Sequence, residues 1–269
     1  MKMRLKFQGK FINCLLRKSQ MMEFLADLHI HSVLSPCGDL EMTPRNIVKM
    51  ALKKGLDMIA ITDHNSTRMC HIISDYAAQN GLMVIPGAEV NTSEEVHCLA
   101  LFGNWDQVDL FQKYLDKNLI DIQNEPFIFG DQVVIDVDEN ILYTEEHSLI
   151  TGLRASIGEV EAMVHKLDGL FIPAHIYRRN HGIIHQLGML PENLNFDALE
   201  ITPGSYSEDY LMPENRSNWI FDSDAHFIEQ IGKFSTRLIM KSPGFNELKL
   251  ALKNSEGRSV IGLKRNGGI

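Results

Sequence analysis

The stretch Phe24-Leu25-Ala26-Asp27-Leu28-His29-Ile30-His31 is an apolar run that ends in two imidazoles. It reads as a strand over residues 23–30. Alternate strand residues share a face, so Asp27, His29 and His31 point one way and Leu28 and Ile30 the other. Working outward, the same grammar repeats. Thr43-Pro44 opens a helix, with Thr43 as N-cap and Pro44 at the first helical position, and Gly55 ends it. A short apolar strand at 58–62, a helix at 66–80, strands at 83–86 and 96–102 and a helix at 104–118 follow. The rhythm then breaks. Residues 132–137 and 141–144 read as a hairpin around Asp138-Glu139-Asn140, so 119–154 is an insertion that serves as a lid, a partner surface or a plain loop. Ser156-Ile157-Gly158-Glu159 is a capping box opening the next helix. Strands at 170–174, 198–201, 219–221 and 237–240 and helices at 180–190 and 245–253 complete the chain. Such alternation predicts an α/β fold with a mostly parallel sheet, open or closed into a barrel.

The 269 residues suit one large domain, expected over 22–269, with residues 1–21 a basic N-terminal extension outside the fold. A formal net charge of −9 argues against a broad footprint on duplex nucleic acid. A strand end or a nucleotide in a metal site stays compatible with it, because bound cations change the local field. The four cysteines, Cys14, Cys37, Cys70 and Cys98, have neither zinc-knuckle nor redox spacing. With no secretion signal and no apolar run long enough for a bilayer, reduced thiols, a cytoplasmic location and no membrane partner are expected. Oligomeric state is not encoded legibly.

Polar chemistry collects at strand ends, where parallel α/β folds bind their ligands. His29 and His31 close the first strand. Asp63 and His64 follow the second, and there Asp63 is placed to orient a ligand imidazole. Glu89 lies past the third, in Pro86-Gly87-Ala88-Glu89-Val90, as a carboxylate able to bridge two metals. His97 opens the fourth, with Cys98 turned the other way into the core. His175 closes the strand at 170–174, and Asp224 and His226 follow 219–221. Each motif alone has an ordinary structural explanation, such as a turn, a solvated loop or a core histidine. Their joint placement does not.

Together the motifs Asp-Leu-His-Ile-His-Ser (27–32), Thr-Asp-His-Asn (62–65), Pro-Gly-Ala-Glu-Val (86–90), Pro-Ala-His (173–175) and Ser-Asp-Ala-His (223–226) resemble the PHP (polymerase and histidinol phosphatase) superfamily in content and order. The resemblance implies a distorted seven-stranded (β/α) barrel with a trinuclear metal centre and phosphoester hydrolysis. It implies metal ligands at His29, His31, His64, Glu89, His97, His175, Asp224 and His226. A ninth, usually an Asp or His soon after the first pair, falls in Ser35-Pro36-Cys37-Gly38-Asp39. Counting back from Thr43-Pro44 favours Asp39, and counting forward from His31 leaves Cys37. Divalent ions roughly 3.5–4 Å apart would neutralise phosphoryl oxygens and activate a bridging water as hydroxide. Imidazole and carboxylate ligands suit zinc, manganese or iron.

Around this centre, Arg178 is expected to clamp a phosphate, with Arg179 and Arg154 weaker candidates. His181 is expected to donate a proton. His71, His147, His165 and His185 are expected to be structural or solvated. No pattern of interleaved aromatic and basic residues marks a single-strand channel, which favours a small phosphorylated substrate or nucleotide. The competing readings are an amidohydrolase, disfavoured because no lysine stands at a strand end, and a non-catalytic, metal-bound regulatory module.

Overall fold

The computed structural model describes residues 20–204 and 219–265. The expected extension over 1–21 lies almost entirely outside the described residues. In chain order the strands are β1 (Met22–Ile30), β2 (Met58–Ile61), β3 (Met83–Asn91), β4 (His97–Leu101), β5 (Val133–Ile135), β6 (Ile141–Thr144), β7 (Leu170–Pro173), β8 (Leu199–Glu200), β9 (Trp219–Ile220), β10 (Phe234–Met240) and β11 (Ser259–Arg265). The helices are α1 (Pro44–Lys53), α2 (Cys70–Gln79), α3 (Trp105–Asn118), α4 (Pro126–Phe129), α5 (Ile157–Lys166), α6 (Ile183–Leu187) and α7 (Phe245–Leu252).

Seven strands form one curled sheet in the order β11-β10-β1-β2-β3-β4-β7. Only β1–β2 and β2–β3 are parallel; β3–β4, β4–β7, β1–β10 and β10–β11 are antiparallel. The expectation of a mostly parallel sheet is therefore wrong. Its cause is visible at residues 92–96, which join β3 to β4 directly. Five residues cannot carry the crossover that parallel neighbours need. A parallel strip, β8–β9, lies beside the main sheet. Asp197 N–H bonds Phe171 O at 2.9 Å on one flank of the strip. On the other, Ala225 N–H bonds His29 O at 3.2 Å and His31 N–H bonds Ala225 O at 3.0 Å.

One residue too many on β1 decides where its histidines point. The β1–β2 register runs Ala26↔Met58, Asp27↔Ile59, then Ile30↔Ile61, so β1 carries a bulge. Leu28 packs with Phe24 and Ala26 in one core, whereas Ile30 joins Ile59 and Ile61 against α1 and α2. The shared face expected for Leu28 and Ile30 is thus broken, and so is that of Asp27 with the histidines. Asp27 instead accepts from Ser223 N–H (3.0 Å), Ser223 Oγ (2.6 Å) and Gly232 N–H (2.8 Å).

The capping boxes at Asn104/Gln107 and Ser156/Glu159 form as their sequences dictate. Thr43 sits at the N-cap of α1 but makes no side-chain cap bond. Helix α2 starts at Cys70, not at residue 66, because Thr67 is held by Gln112 Oε1 (2.6 Å to its N–H, 2.8 Å to its hydroxyl). Strand β3 runs through Pro86 to Asn91, so Glu89 stands within a strand. Strand β11 was not foreseen, for its mixed Ser-Val-Ile-Gly-Leu-Lys-Arg pattern leaves no clean apolar face. Residues 119–154 hold α4 and the β5–β6 hairpin. Their end is tied to the main sheet: Asn65 Nδ2 donates to Leu149 O (2.8 Å) and Thr151 O (2.9 Å), and Asn91 Nδ2 to Ile150 O (3.1 Å). No helix among the described residues is long and apolar enough to cross a membrane.

Candidate metal centre

Glu89 is the hub. Its Oε1 lies 2.8 Å from His97 Nδ1, 3.0 Å from His175 Nε2 and 3.3 Å from His29 Nε2. Its Oε2 lies 3.1 Å from His64 Nδ1 and 3.3 Å from His31 Nε2. Asp224 Oδ1 stands 3.3 Å from His29 Nε2 and 3.2 Å from His31 Nε2. His226 completes the group, its ring 4.1 Å from that of His31. Three overlapping sets bring their ligand atoms within 4.8 Å of one another: His29, His31, Glu89 and Asp224; His64, Glu89 and His97; and His31, His64 and His226. Sequence-distant strand ends thus bring together eight of the nine expected ligands. Asp39 is the exception. Its Oδ1 accepts from Glu41 N–H at 2.8 Å in a surface turn, whereas Cys37 lies at the edge of the cluster, its Sγ 3.2 Å from His64 Nε2.

The donor set suits cations better than protons. His29 Nδ1 bonds Glu200 Oε2 at 2.9 Å, and His31 Nδ1 bonds Ser35 Oγ at 2.9 Å. Ser35 Oγ in turn donates to Asp63 Oδ1 at 2.7 Å. When neutral, both imidazoles are thereby set as Nδ1–H tautomers, and their Nε2 lone pairs would then face each other at 3.2 Å. Two lone pairs at that distance repel unless a positive charge lies between or beside them. Glu89 Oε2, Asp224 Oδ1, His64 Nδ1 and His175 Nδ1 are buried with no hydrogen-bond partner, and an orphaned buried polar atom is costly. Divalent ions would satisfy Glu89 Oε2, Asp224 Oδ1 and His64 Nδ1 at once.

The electrostatics follow from burial and crowding. Burial opposes charge on Glu89, yet His97, His29 and His64 hold it well below the usual carboxylate range. Burial also opposes charge on Asp224, and His29 and His31 likewise hold it low. Burial works against protonated His31, but Asp224 and Glu89 lift it to about 9. His97 and His226 are pushed down to about 4, chiefly by burial. Burial, with Glu89 and Asp224 nearby, pushes the Cys37 thiol up to about 12. Nearby bound cations would invert this balance in favour of thiolate and neutral imidazole.

Four non-glycine residues of this region sit at positive φ: Asn65 (48°), His175 (30°), His181 (62°) and Asp224 (49°). Each such residue costs on the order of 1–3 kcal/mol, and such strain clusters where side chains must be aimed. Asp63 orients rather than touches: it accepts from Ser32 N–H (2.6 Å), Ser32 Oγ (2.7 Å) and Ser35 Oγ (2.7 Å). Arg178 is half-exposed and paired with Asp224 Oδ2. The ring of His181 stacks on His97 at 4.2 Å, with its Nδ1 3.1 Å from Glu95 O. Cys98 is buried in the core. Away from the cluster, His71 stacks on Trp105, and His147 and His165 pair with nearby carboxylates.

Sequence reasoning missed Glu200, Ser35 and Asp222. Glu200 is fully buried and also accepts from His175 N–H at 3.2 Å. Its signal was a lone carboxylate between Leu199 and Ile201 in an apolar strand. Asp222 Oδ1 accepts from Leu28 N–H at 2.7 Å, and burial raises its carboxyl well above the ordinary range.

YqxK of Bacillus subtilis, an uncharacterized protein, is 23% identical over 274 residues, 90% of this chain and 65% of YqxK. The uncharacterized protein MJ1587 of Methanocaldococcus jannaschii is 39% identical over 89 residues, 30% of this chain and 52% of the relative. The lesion-specific endonuclease Q of Pyrococcus furiosus superposes with a TM-score of 0.66 at 21% identity, over 90% of this chain and 58% of the endonuclease. An endonuclease Q complex with a 27-mer duplex, its abasic lesion at the active site, gives 0.69 at 22%, over 89% and 59%. The chain therefore spans between half and two thirds of the length of these relatives. The duplex complex overturns the expectation that no duplex nucleic acid is bound. That expectation used net charge, a whole-molecule average, whereas phosphate recognition is decided by the field at one mouth. The PHP domain model matches residues 27–187, well over half of the chain, and this chain belongs to the PHP family.

Proposed function

We propose that this chain is a metal-dependent hydrolase of phosphate esters whose substrate is a phosphodiester of a DNA strand. The observation that carries the proposal is the Glu89 hub: one buried carboxylate facing five imidazoles, with Glu89 Oε2 and Asp224 Oδ1 lacking any hydrogen-bond partner. Three divalent ions, of zinc, manganese or iron, would neutralise phosphoryl oxygens and lower the pKa of a water to make a nucleophile at neutral pH. Glu89, which faces imidazoles on both of its oxygens, would help to hold them. His29, His31 and Asp224 would hold one position, His97 and His175 a second, and His64 and His226 a third. Glu200 and the Asp63–Ser35 pair fix the tautomers of His29 and His31, and so keep both Nε2 lone pairs aimed inward. Arg178 would exchange Asp224 for a phosphate oxygen. His181, whose Nδ1 bonds Glu95 O, would carry the proton for the leaving oxygen on Nε2.

The fold supports this reading in two further ways. The hydrogen bonds from β7 through β8 and β9 to β1 suit a distorted seven-stranded barrel with the cluster at one mouth. Residues 22–269 would then be one domain with an insertion at 119–154. That insertion leaves Phe127, Ile128, Ile141 and Leu142 exposed, and Gly130 packs close to Pro36 beside the cluster. A small ester needs no exposed apolar side chains of this kind, whereas stacked bases do.

The test is cleavage of single-stranded, duplex and lesion-bearing DNA, beside a panel of phosphomonoesters, with zinc, manganese or iron supplied in turn. His29→Ala and Asp224→Ala serve as controls. Metal-dependent strand cleavage that both substitutions abolish supports the proposal. Turnover confined to phosphomonoesters moves the substrate to small metabolites. Full metal occupancy without turnover of any ester would replace catalysis with a regulatory role.

A further inference from the structure

We propose that Cys37 supplies a thiolate ligand at the third metal position, beside His64 and His226, where the family pattern calls for an oxygen or nitrogen ligand. The inference rests on the metal-centre reading above. Cys37 Sγ approaches His64 Nε2 to 3.2 Å. His31, His64 and His226 each offer a ligand atom within 4.8 Å of the others, and His64, a member of that set, turns its Nε2 to the thiol.

The loop geometry explains why Cys37, not Asp39, reaches inward. Two successive turns, Ser35 N–H to Ser32 O (3.1 Å) and Gly38 N–H to Ser35 O (2.8 Å), wind residues 32–38 tightly past the second-strand end. A Cβ on Gly38 would come within 2.5 Å of Ser32 O, so only glycine allows the loop to close this far. Asp39 N–H then bonds His226 O at 2.9 Å, and its carboxylate turns outward to Glu41, beside Asn46 and Lys49 on a surface cleft. The tight coil of this loop thus exchanges the liganding position from carboxylate to thiol. The free thiols Cys70 and Cys98 are fully buried in the cores, so within the described residues Cys37 has no disulfide partner. The consequence is selectivity. A soft sulfur ligand favours zinc or ferrous iron over magnesium or manganese at this one position, while the positions built from imidazole and carboxylate stay permissive.

The test uses the full chain loaded with cobalt(II), comparing wild type with Cys37→Ser, Cys37→Asp and Asp39→Asn. Metal content is measured by elemental analysis and folding by thermal melting. We expect a sulfur-to-cobalt charge-transfer band in wild type and Asp39→Asn. It should vanish in Cys37→Ser with a tenfold or greater loss of affinity for one equivalent. Cys37→Asp should recover that equivalent without the band, which separates lost ligation from misfolding. A folded, cobalt-loaded wild type without the band would overturn the thiolate assignment and leave the centre standing. So would Asp39→Asn losing one equivalent. Failure of wild type to bind any metal would overturn both.

Discussion

Glu200→Gln isolates the charge behind one ligand while keeping its shape. Glu200 Oε2 meets His29 Nδ1 at 2.9 Å and His175 N–H at 3.2 Å, and its Oε1 has no hydrogen-bond partner. A glutamine oxygen can accept both bonds, so the His29 tautomer and the backbone at His175 are kept. What disappears is the negative charge that makes His29 a stronger donor. Losing such a partner behind a metal-bound imidazole costs about 10–100-fold in affinity, or about 1.4–2.7 kcal/mol. Competition against a chromophoric chelator should show that loss at one equivalent, with stoichiometry unchanged at saturating zinc. The metal-free melting temperature should move little, since the buried carboxylate gives up both a desolvation cost and an attraction to His29. Zinc affinity equal to wild type would refute the claim that Glu200 acts through His29. A variant that fails to fold without metal would show that Glu200 is a structural support instead.

Metal-free protein should be most stable near neutral pH. His31 is raised from 6.5 to about 9, so its contribution is complete below about 6.5 and is lost as pH rises through 9. His97 and His226 are lowered to about 4, so theirs is present above 6.5 and is lost as pH falls through 4. Melting temperatures across that range check both limbs, and added zinc should flatten the alkaline one. Arg178→Ala should raise KM for a phosphodiester on the order of tenfold, the value of a charge-assisted contact, with metal content unchanged; steady-state kinetics and elemental analysis check it. Phe127→Ser should weaken DNA binding by about 1–3 kcal/mol if a base stacks there, and leave phosphomonoester turnover untouched. Fluorescence anisotropy reads the first and phosphate release the second.

The candidate ligands were legible because they collect in short motifs in or just past apolar strands, in an order that resembles the family's. Eight of them meet as that logic requires. Asp39 turns away from the cluster, because the direction of its side chain depends on how tightly residues 32–38 coil, and a count of residues does not encode loop curvature. Glu200 escaped for the opposite reason. It is a single letter inside a strand two residues long, with no neighbour to make a motif. The sheet's polarity was misjudged because alternation at 44–81 obeys the parallel rule while the joint at 92–96 does not. The bulge in β1 lies beyond any periodic pattern, since it shows only when β1 is set against β2.

How an acidic chain could act on a polyanion can be argued from where its charges stand. The formal charge is −9, and most of the arginines near carboxylates are already committed: Arg45 to Asp138, Arg68 to Asp116, Arg237 to Glu23 and Arg258 to Glu247. Arg178 pairs with Asp224 at the cluster, and Arg179, next to it in the chain, is exposed. The cluster itself carries far more imidazole than carboxylate, so divalent ions bound there would make that site positive on a chain of net negative charge. Binding should therefore be local, metal-dependent and weakly sensitive to salt. With about two phosphates neutralised by arginine, log K against log salt should fall with a slope of about −2, against about −6 to −9 for a protein making broad contacts. Anisotropy titrations over a salt series, with and without zinc, measure the slope directly. A steep slope that persists after chelation would mean that a basic surface outside this centre holds the DNA, and that the metal mouth is not where its phosphates are recognised.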